Sequence, residues 1–263
     1  DHEVDPDHPE SELDDRAVGN IIQRGGTIVG TSRCPEFLDP LVRTAAANRM
    51  RADGVDGLVV VGGDGSFRGA LALQDECGVP VAGVTGTIDN DVFGTDETIG
   101  FDTAVNTALL AIDQVRDTSE STGMMFFVEV MGRTSGAIAL HTAVAGGAAG
   151  VVVPEAHDEI TVLIEQLRHS IERGKRSHIV VVAEGDEAGG AFGVGERVGK
   201  ALLRERLSAG GSAEEVAGRL PLDGFIEGCP CRPHHAPDDA VARLRQAGQS
   251  TAQPDGAGQE LAC

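Results

Sequence analysis

GVTGTIDNDVFGTDETIGFDTA, residues 83–104, carries the densest chemistry in the chain. A strand-like apolar run ends at Val84 and leads within five residues to Asp89, Asn90 and Asp91, with threonines and glycines on both sides. Asn-Asp clusters after strands usually form solvated turns. The same residues also describe a carboxylate held at a strand end, where a buried strand aims charged and hydroxyl groups at one spot. The flanking sequence decides between the two.

Outward from this stretch, strand and helix signals alternate. VDGLVVVG (55–62) is too uniformly apolar for a half-exposed strand and predicts a parallel strand covered on both faces. A helix follows over 67–77, then a second strand, VPVAGV (79–84), and a helix over 102–115 with apolar residues at three- and four-residue spacing. MFFVEVM (125–131) is a strand, SGAIALHTAVAG (135–146) a small-residue helix able to pack closely, and VVVP (151–154) a strand. An amphipathic helix (159–173) and the strand HIVVVAEG (178–185) complete the series. A βα succession of this kind predicts an α/β fold with parallel sheets and right-handed crossovers. The acidic first 16 residues, with His2 and His8, read as a solvated loop. Beyond about Ser208, clusters of Gly, Pro and Cys leave only a short helix candidate at Asp238–Gln246, so a poorly ordered tail is expected.

Composition narrows the function. The chain has 263 residues and 41% hydrophobic content, enough for one large or two ordinary domains. With no Trp or Tyr and eight Phe, its core must be aliphatic. A formal net charge of −21, with 19 Arg but only two Lys, argues against nucleic acid or an anionic membrane as partner. A small anionic ligand in an arginine-bearing cleft is compatible with it. The five cysteines, odd in number and irregularly spaced, read as reduced thiols, and C-x-C-x-x-H-H at Cys229–His235 matches no common zinc pattern. No signal peptide or apolar run of the roughly 20 residues needed to span a bilayer is evident, so a cytoplasmic protein is expected.

In open α/β sheets, ligands bind beyond the carboxyl ends of the strands. Every predicted strand here ends in polar residues: GGDGS (62–66), TGTIDND (85–91), MGRTSG (131–136), PE (154–155) and AEGD (183–186). One such cluster would be a turn; five on one edge describe a site. Glycines in GGDGS let the backbone approach a phosphate, and the amides opening the next helix can donate to it, though a tight turn has the same composition. Asp64 would repel a bare phosphate and makes sense there with a Mg²⁺ between them. Asp89 is suited to accept a proton from a substrate hydroxyl, with Asp91 beside it, and Arg133 to stabilise a transferred phosphoryl group.

Together these stretches resemble the bacterial ATP-dependent 6-phosphofructokinase family. The matching segments are IIQRGGTIVGTSRCPEF (21–37), VVVGGDGSFRGA (59–70), residues 83–104, VEVMGRTSGAIAL (128–140), VVVPE (151–155) and GKRSHIVVVAEG (174–185). The resemblance implies two Rossmann-like three-layer domains, an ATP/Mg-binding one over about 1–100 and a sugar-phosphate-binding one over 101–205, with 206–263 as tail. It implies phosphorylation of fructose 6-phosphate by ATP with Mg²⁺, in a cytoplasmic, allosteric homotetramer. Asp89 matches the proton acceptor for the sugar 1-hydroxyl, with Thr87 and Asp91 beside it. Asp64 matches the Mg²⁺-associated aspartate, Gly63, Gly65 and Ser66 the ATP-phosphate loop, and Arg33 a nucleotide-binding arginine. Met131, Gly132 and Arg133 match the sugar-phosphate segment, and Glu184 a sugar-binding glutamate. Pyrophosphate-using relatives tend to carry Asp at the Gly65 position and Lys at the Gly86 position; both are Gly here. Arg116, Arg173 and Lys175 resemble an effector site, but Ala149 stands where an effector-metal carboxylate is expected.

The departures matter too. The family's first strand and its glycine-rich ATP loop precede the point where this sequence starts. Met124 replaces an arginine that reaches a neighbouring subunit's sugar phosphate, and LGH-x-QRGG, expected near 205–220, is absent. Each charged hydrogen bond so lost is worth on the order of 1.5–3 kcal/mol. FIEGCPCRP near that place reads as out-of-frame text from about residue 205. A silent remnant that binds nucleotide or only co-assembles, and a pyrophosphate-dependent homologue, therefore stand beside the leading reading.

Overall fold

Parallel strands with no polar face must be covered on both sides, and the two longest strands dictate the architecture accordingly. In the computed structural model, which describes residues 18–28, 30–156, 159–185, 189–208 and 224–226, β3 (Met125–Val130) and β5 (His178–Ala183) pair in parallel at the centre of a four-stranded sheet. Its order is β4–β5–β3–β6, with β4 (Gly150–Val152) and β6 (Gly224–Ile226) at the edges. Every residue of β5, and every residue of β3 except Glu129, is buried. Phe126, Val128, Val130, Ile179 and Val181 face helices α3 (Phe101–Thr122) and α4 (Ala137–Ala145). Phe127, Val180 and Val182 face α5 (Glu159–Glu172) and α6 (Gly190–Ser208), against Leu163, Leu167, Val194 and Val198. The result is a three-layer α/β unit. Ala139 on α4 is fully buried, the close approach its small residues anticipated.

A second, two-stranded parallel sheet joins β1 (Leu58–Gly62) to β2 (Val81–Thr85), with Val59 opposite Ala82 and Val61 opposite Val84. Helices α1 (Pro40–Ala52) and α2 (Asp64–Cys77) pack on one face through Ala47, Leu73 and Val79. Buried Arg43 ties α1 to α2: its Nε and Nη2 donate to Glu76 at 2.7 and 2.6 Å, and its Nη1 donates to the Phe37 carbonyl at 2.6 Å. The expected coverage of both faces does not hold for β1. Val59 and Val61 are 70% and 67% exposed, because among the described residues helices pack on the opposite face only.

Several features differ from the sequence pattern, including helices α1 and α6, which it did not predict. Helix α2 opens at Asp64 rather than 67, with an acid in its first turn where the helix dipole favours one. Helix α3 runs to Thr122 instead of 115. Its last turns carry no apolar period, but Ser121 and Thr122 donate their hydroxyls to carbonyls four residues back at 2.7 and 2.6 Å, so their polar groups are satisfied inside the helix. Within 206–263 the pattern predicts no strand, yet Gly224–Ile226 pairs with Phe126–Val128. The helix candidate at Asp238–Gln246 and the first 16 residues lie outside the described residues.

Truncating Leu73, 2% exposed, should lower stability by about 2–5 kcal/mol in a urea melt. Val59→Ala should stay within about 0.5 kcal/mol. Equal, small effects would deny that the α1–α2–β1 cluster is a core.

Candidate active site

The carboxyl end of β2 builds the first wall of the site. Ile99 N–H donates back to the Thr85 carbonyl at 2.9 Å, so residues 86–98 form a closed excursion from the strand end. Within it Asn90 adopts a left-handed backbone (φ 53°), tolerated by Asn better than by most residues, and its Oδ1 accepts from Thr98 N–H at 2.9 Å. Asp89 N–H donates to Thr87 Oγ1 at 3.3 Å. Held from both sides, Asp89 is only 9% exposed. Asn90 itself is a residue the sequence reading gave no role; its place between two aspartates, in a residue type that accepts positive φ, was the available signal.

The glycine loop after β1 lies beside this excursion. A Cβ added to Gly63 would come 3.2 Å from the Thr87 side chain, so the two loops touch. Gly65 and Ser66 open α2, exposed, with open space around Gly65. Asp64, in the same turn, pairs with Arg68 at 2.9 Å. Among the described residues no three His, Cys, Asp or Glu side chains gather to hold a metal ion. Arg33 is exposed in the extended segment before the 3-10 turn Pro35–Leu38.

The second sheet supplies the facing wall. After β3, Met131 is 43% exposed, Gly132 adopts φ 146° and Arg133 a left-handed φ of 54°. A side chain on Gly132 would collide with the Ser135 carbonyl at 2.5 Å, so glycine is required there. Arg133 N–H donates to Glu184 Oε1 at 2.7 Å, and Glu184 N–H donates to the Val130 carbonyl at 3.0 Å. The ends of β3 and β5 are thereby fastened together. Gly136 N–H, opening α4, donates to Glu155 Oε1 at 2.7 Å; the sequence reading noted Glu155 at a strand end without assigning it a task.

Asp89 lies within electrostatic reach of the facing wall. Burial pushes the Asp89 carboxyl above the usual carboxylate range; Asp91 raises it further, Arg133 opposes the shift, and Glu184 adds to it. A base at raised pKa facing a cation is what proton transfer from a hydroxyl calls for. The structure thus brings Thr87, Asp89, Asp91, Arg133 and Glu184 to one place, with Gly63 adjoining.

The expected effector residues lie on α3 and just after α5. Arg116 Nη2 donates to the Gly146 carbonyl at the end of α4, and its Nε lies 3.8 Å from Asp113. Arg173 is exposed at the end of α5. Lys175 lines an open cavity of about 500 Å³ with Asp117, Glu120, Ser121, Arg176 and Ser177.

Because the folded protein holds Asp89 protonated to higher pH than the unfolded chain does, ionised Asp89 destabilises the fold at neutral pH. Asp89→Asn should therefore raise the melting temperature at pH 7. The gain should vanish as pH falls below the ordinary carboxylate value of 3.8, where both states carry the proton. A variant less stable than the parent at pH 7 contradicts the desolvated carboxylate.

Residues 5–220 match the family model described as Phosphofructokinase. The chain is 56% identical over 212 residues to a protein of Thermus thermophilus named ATP-dependent 6-phosphofructokinase 1, covering 81% of this chain and 62% of that one. It is 47% identical over 217 residues to the ATP-dependent 6-phosphofructokinase of Cytophaga hutchinsonii, covering 82% and 66%. The chain thus spans a little over three fifths of the first relative's length. Among solved structures, Pichia pastoris phosphofructokinase in the T-state superposes with a TM-score of 0.63 at 26% identity, over 90% of this chain and 30% of that one. Family model, relatives and fold agree, and the chain belongs to the phosphofructokinase family.

Proposed function

We propose that the protein transfers the γ-phosphoryl group of ATP to the 1-hydroxyl of fructose 6-phosphate, with Asp89 as general base. The observation that carries this reading is the buried, proton-retaining Asp89 between Asp91, Arg133 and Glu184. Asp89 takes the hydroxyl proton as the sugar oxygen attacks the γ-phosphorus, and ADP departs on the opposite side. Thr87 and Asp91 orient that hydroxyl. Arg133 stabilises the charge of the transferred group, and with Met131, Gly132 and Glu184 holds the sugar phosphate. Gly63, Gly65 and Ser66 receive the nucleotide phosphates where the α2 amides open, and Arg33 approaches the nucleotide.

Mg²⁺ fits the residues present as an ion shared with the nucleotide, since it commonly takes one or two carboxylates plus phosphate oxygens. Asp64 would hold it, giving up its contact with Arg68, and the ion would neutralise charge on the phosphates. ATP rather than pyrophosphate as donor is supported by Gly65 and Gly86 and by the relatives' names. Space around Gly65 would admit an aspartate, but a side chain at Gly86 would sit 2.6 Å from Val61 Cγ1. A glycolytic role in the cytoplasm, assembly into a homotetramer, and effector binding through Arg116, Arg173 and Lys175 rest on the family resemblance. Among the described residues no helix is long and apolar enough to cross a membrane.

The test is ADP release by the purified chain from Mg-ATP with and without fructose 6-phosphate, beside Asp89→Ala and Arg133→Ala. Sugar-dependent turnover should fall about 10²- to 10⁴-fold in the first variant and about 10²- to 10³-fold in the second. The acid limb of kcat/KM should lie above pH 3.8, as the raised Asp89 requires, with activity lost as pH falls through it. A folded chain that binds ATP without sugar-dependent release would overturn the reading in favour of a nucleotide-binding remnant. Faster turnover with pyrophosphate would overturn the donor.

A further inference from the structure

We propose that Glu155 is the positioning residue of the site: from beyond the end of β4 it latches the 131–136 loop and thereby sets Arg133 opposite Asp89. Met131–Gly136 links β3 to α4 through φ 146° at Gly132, open to glycine, and a left-handed φ of 54° at Arg133, unfavourable for a residue with a side chain. Strain of this kind persists only where the surroundings over-determine it. Two carboxylates do so here. Glu184 takes the Arg133 N–H at 2.7 Å, and Glu155 takes the Gly136 N–H at 2.7 Å, three residues on.

The fit at the second latch is close. A Cβ on Gly136 would meet Glu155 Oε2 at 2.5 Å and Val153 Cβ at 2.5 Å, so the backbone lies directly against the end of β4. Between the latches, Gly132 and Ser135 are joined by a hydrogen bond from Ser135 N–H to the Gly132 carbonyl at 2.8 Å, and Ala137 N–H donates to Ser135 Oγ at 3.3 Å. The loop is thus short, internally bonded and fixed at two points. Its carboxylate at the start of α4 also sits where the helix dipole favours negative charge. Releasing Gly136 lets the Arg133 backbone relax toward an ordinary conformation and swings its guanidinium away from Asp89.

The readout is the carboxyl titration of Asp89, followed by ¹³C NMR in the full chain without substrate. The groups that face Asp89 are Asp91 from its own loop and Arg133 and Glu184 from the second sheet, and none is altered in the variants. Glu155→Asp keeps the charge but withdraws the acceptor by one methylene; Glu155→Gln keeps the acceptor and loses the charge. With Arg133 displaced, Asp89 loses the cation that holds its pKa down. Its midpoint should therefore move further up in E155D and return to the parent value in E155Q. The effect on turnover rests on the kinase reading above: E155D should lose kcat/KM on the order of tenfold or more, with E155Q near the parent. The titration tests the latch even if the chain does not turn over. An Asp89 midpoint unchanged in E155D overturns the proposal, and so does an E155Q midpoint displaced as far as that of E155D.

Discussion

The pairing of Val130 with Ala183, the last rung of the β3–β5 ladder, is the constraint on which the site depends. Because the two strands are parallel and in this register, their chains leave the sheet at the same level. Glu184 N–H then continues the ladder to the Val130 carbonyl, and its carboxylate reaches the Arg133 amide. The approach is so close that a Cβ at Gly185 would overlap the Arg133 carbonyl. A one-residue slip would carry Arg133 and Glu184 to opposite faces. What prevents it is burial on both sides: Phe126 and Val181 belong to one face, Phe127 and Val180 to the other, and neither set tolerates exchange. The geometry of the candidate site is a consequence of aliphatic packing.

The first sheet contributes charge where the second contributes position. Asp89 emerges from a short strand, is turned inward by the Thr87 and Asn90 contacts, and loses most of its water. Desolvation is the leading cause of its raised pKa, ahead of Asp91. Arg133 opposes the shift without cancelling it, so the carboxylate stays basic while facing a cation. Neither sheet supplies that combination alone.

Much of this was legible from residue pattern. The βα succession predicts parallel sheets, and MFFVEV and HIVVVA do pair in parallel, but the polar strand ends expected on one edge are divided between two sheets. Asp89 and Arg133 were singled out as strand-end residues, and Glu184 through the family resemblance. What stayed hidden depends on distances between segments far apart in sequence. Glu155 reads as an ordinary acid after a proline until its reach to Gly136, 19 residues earlier, is seen. Asn90 looks like turn composition until its bond to Thr98 closes the excursion. Exposure of Val59 and Val61 escaped for the opposite reason: strand composition states what a face needs, not whether a neighbouring element provides it. The strand Gly224–Ile226 is three residues long, too short to show a period.

The central claim is that Asp89 is a desolvated carboxylate set between an acid of its own loop and a cation of the other sheet. The most direct measurement is the Asp89 titration midpoint in the parent chain, in Asp91→Asn and in Arg133→Gln. The account predicts a parent midpoint above the ordinary value of 3.8, a lower one without the Asp91 charge, and a higher one without the Arg133 charge. An ordinary midpoint that neither substitution moves would mean that the two walls do not meet at Asp89.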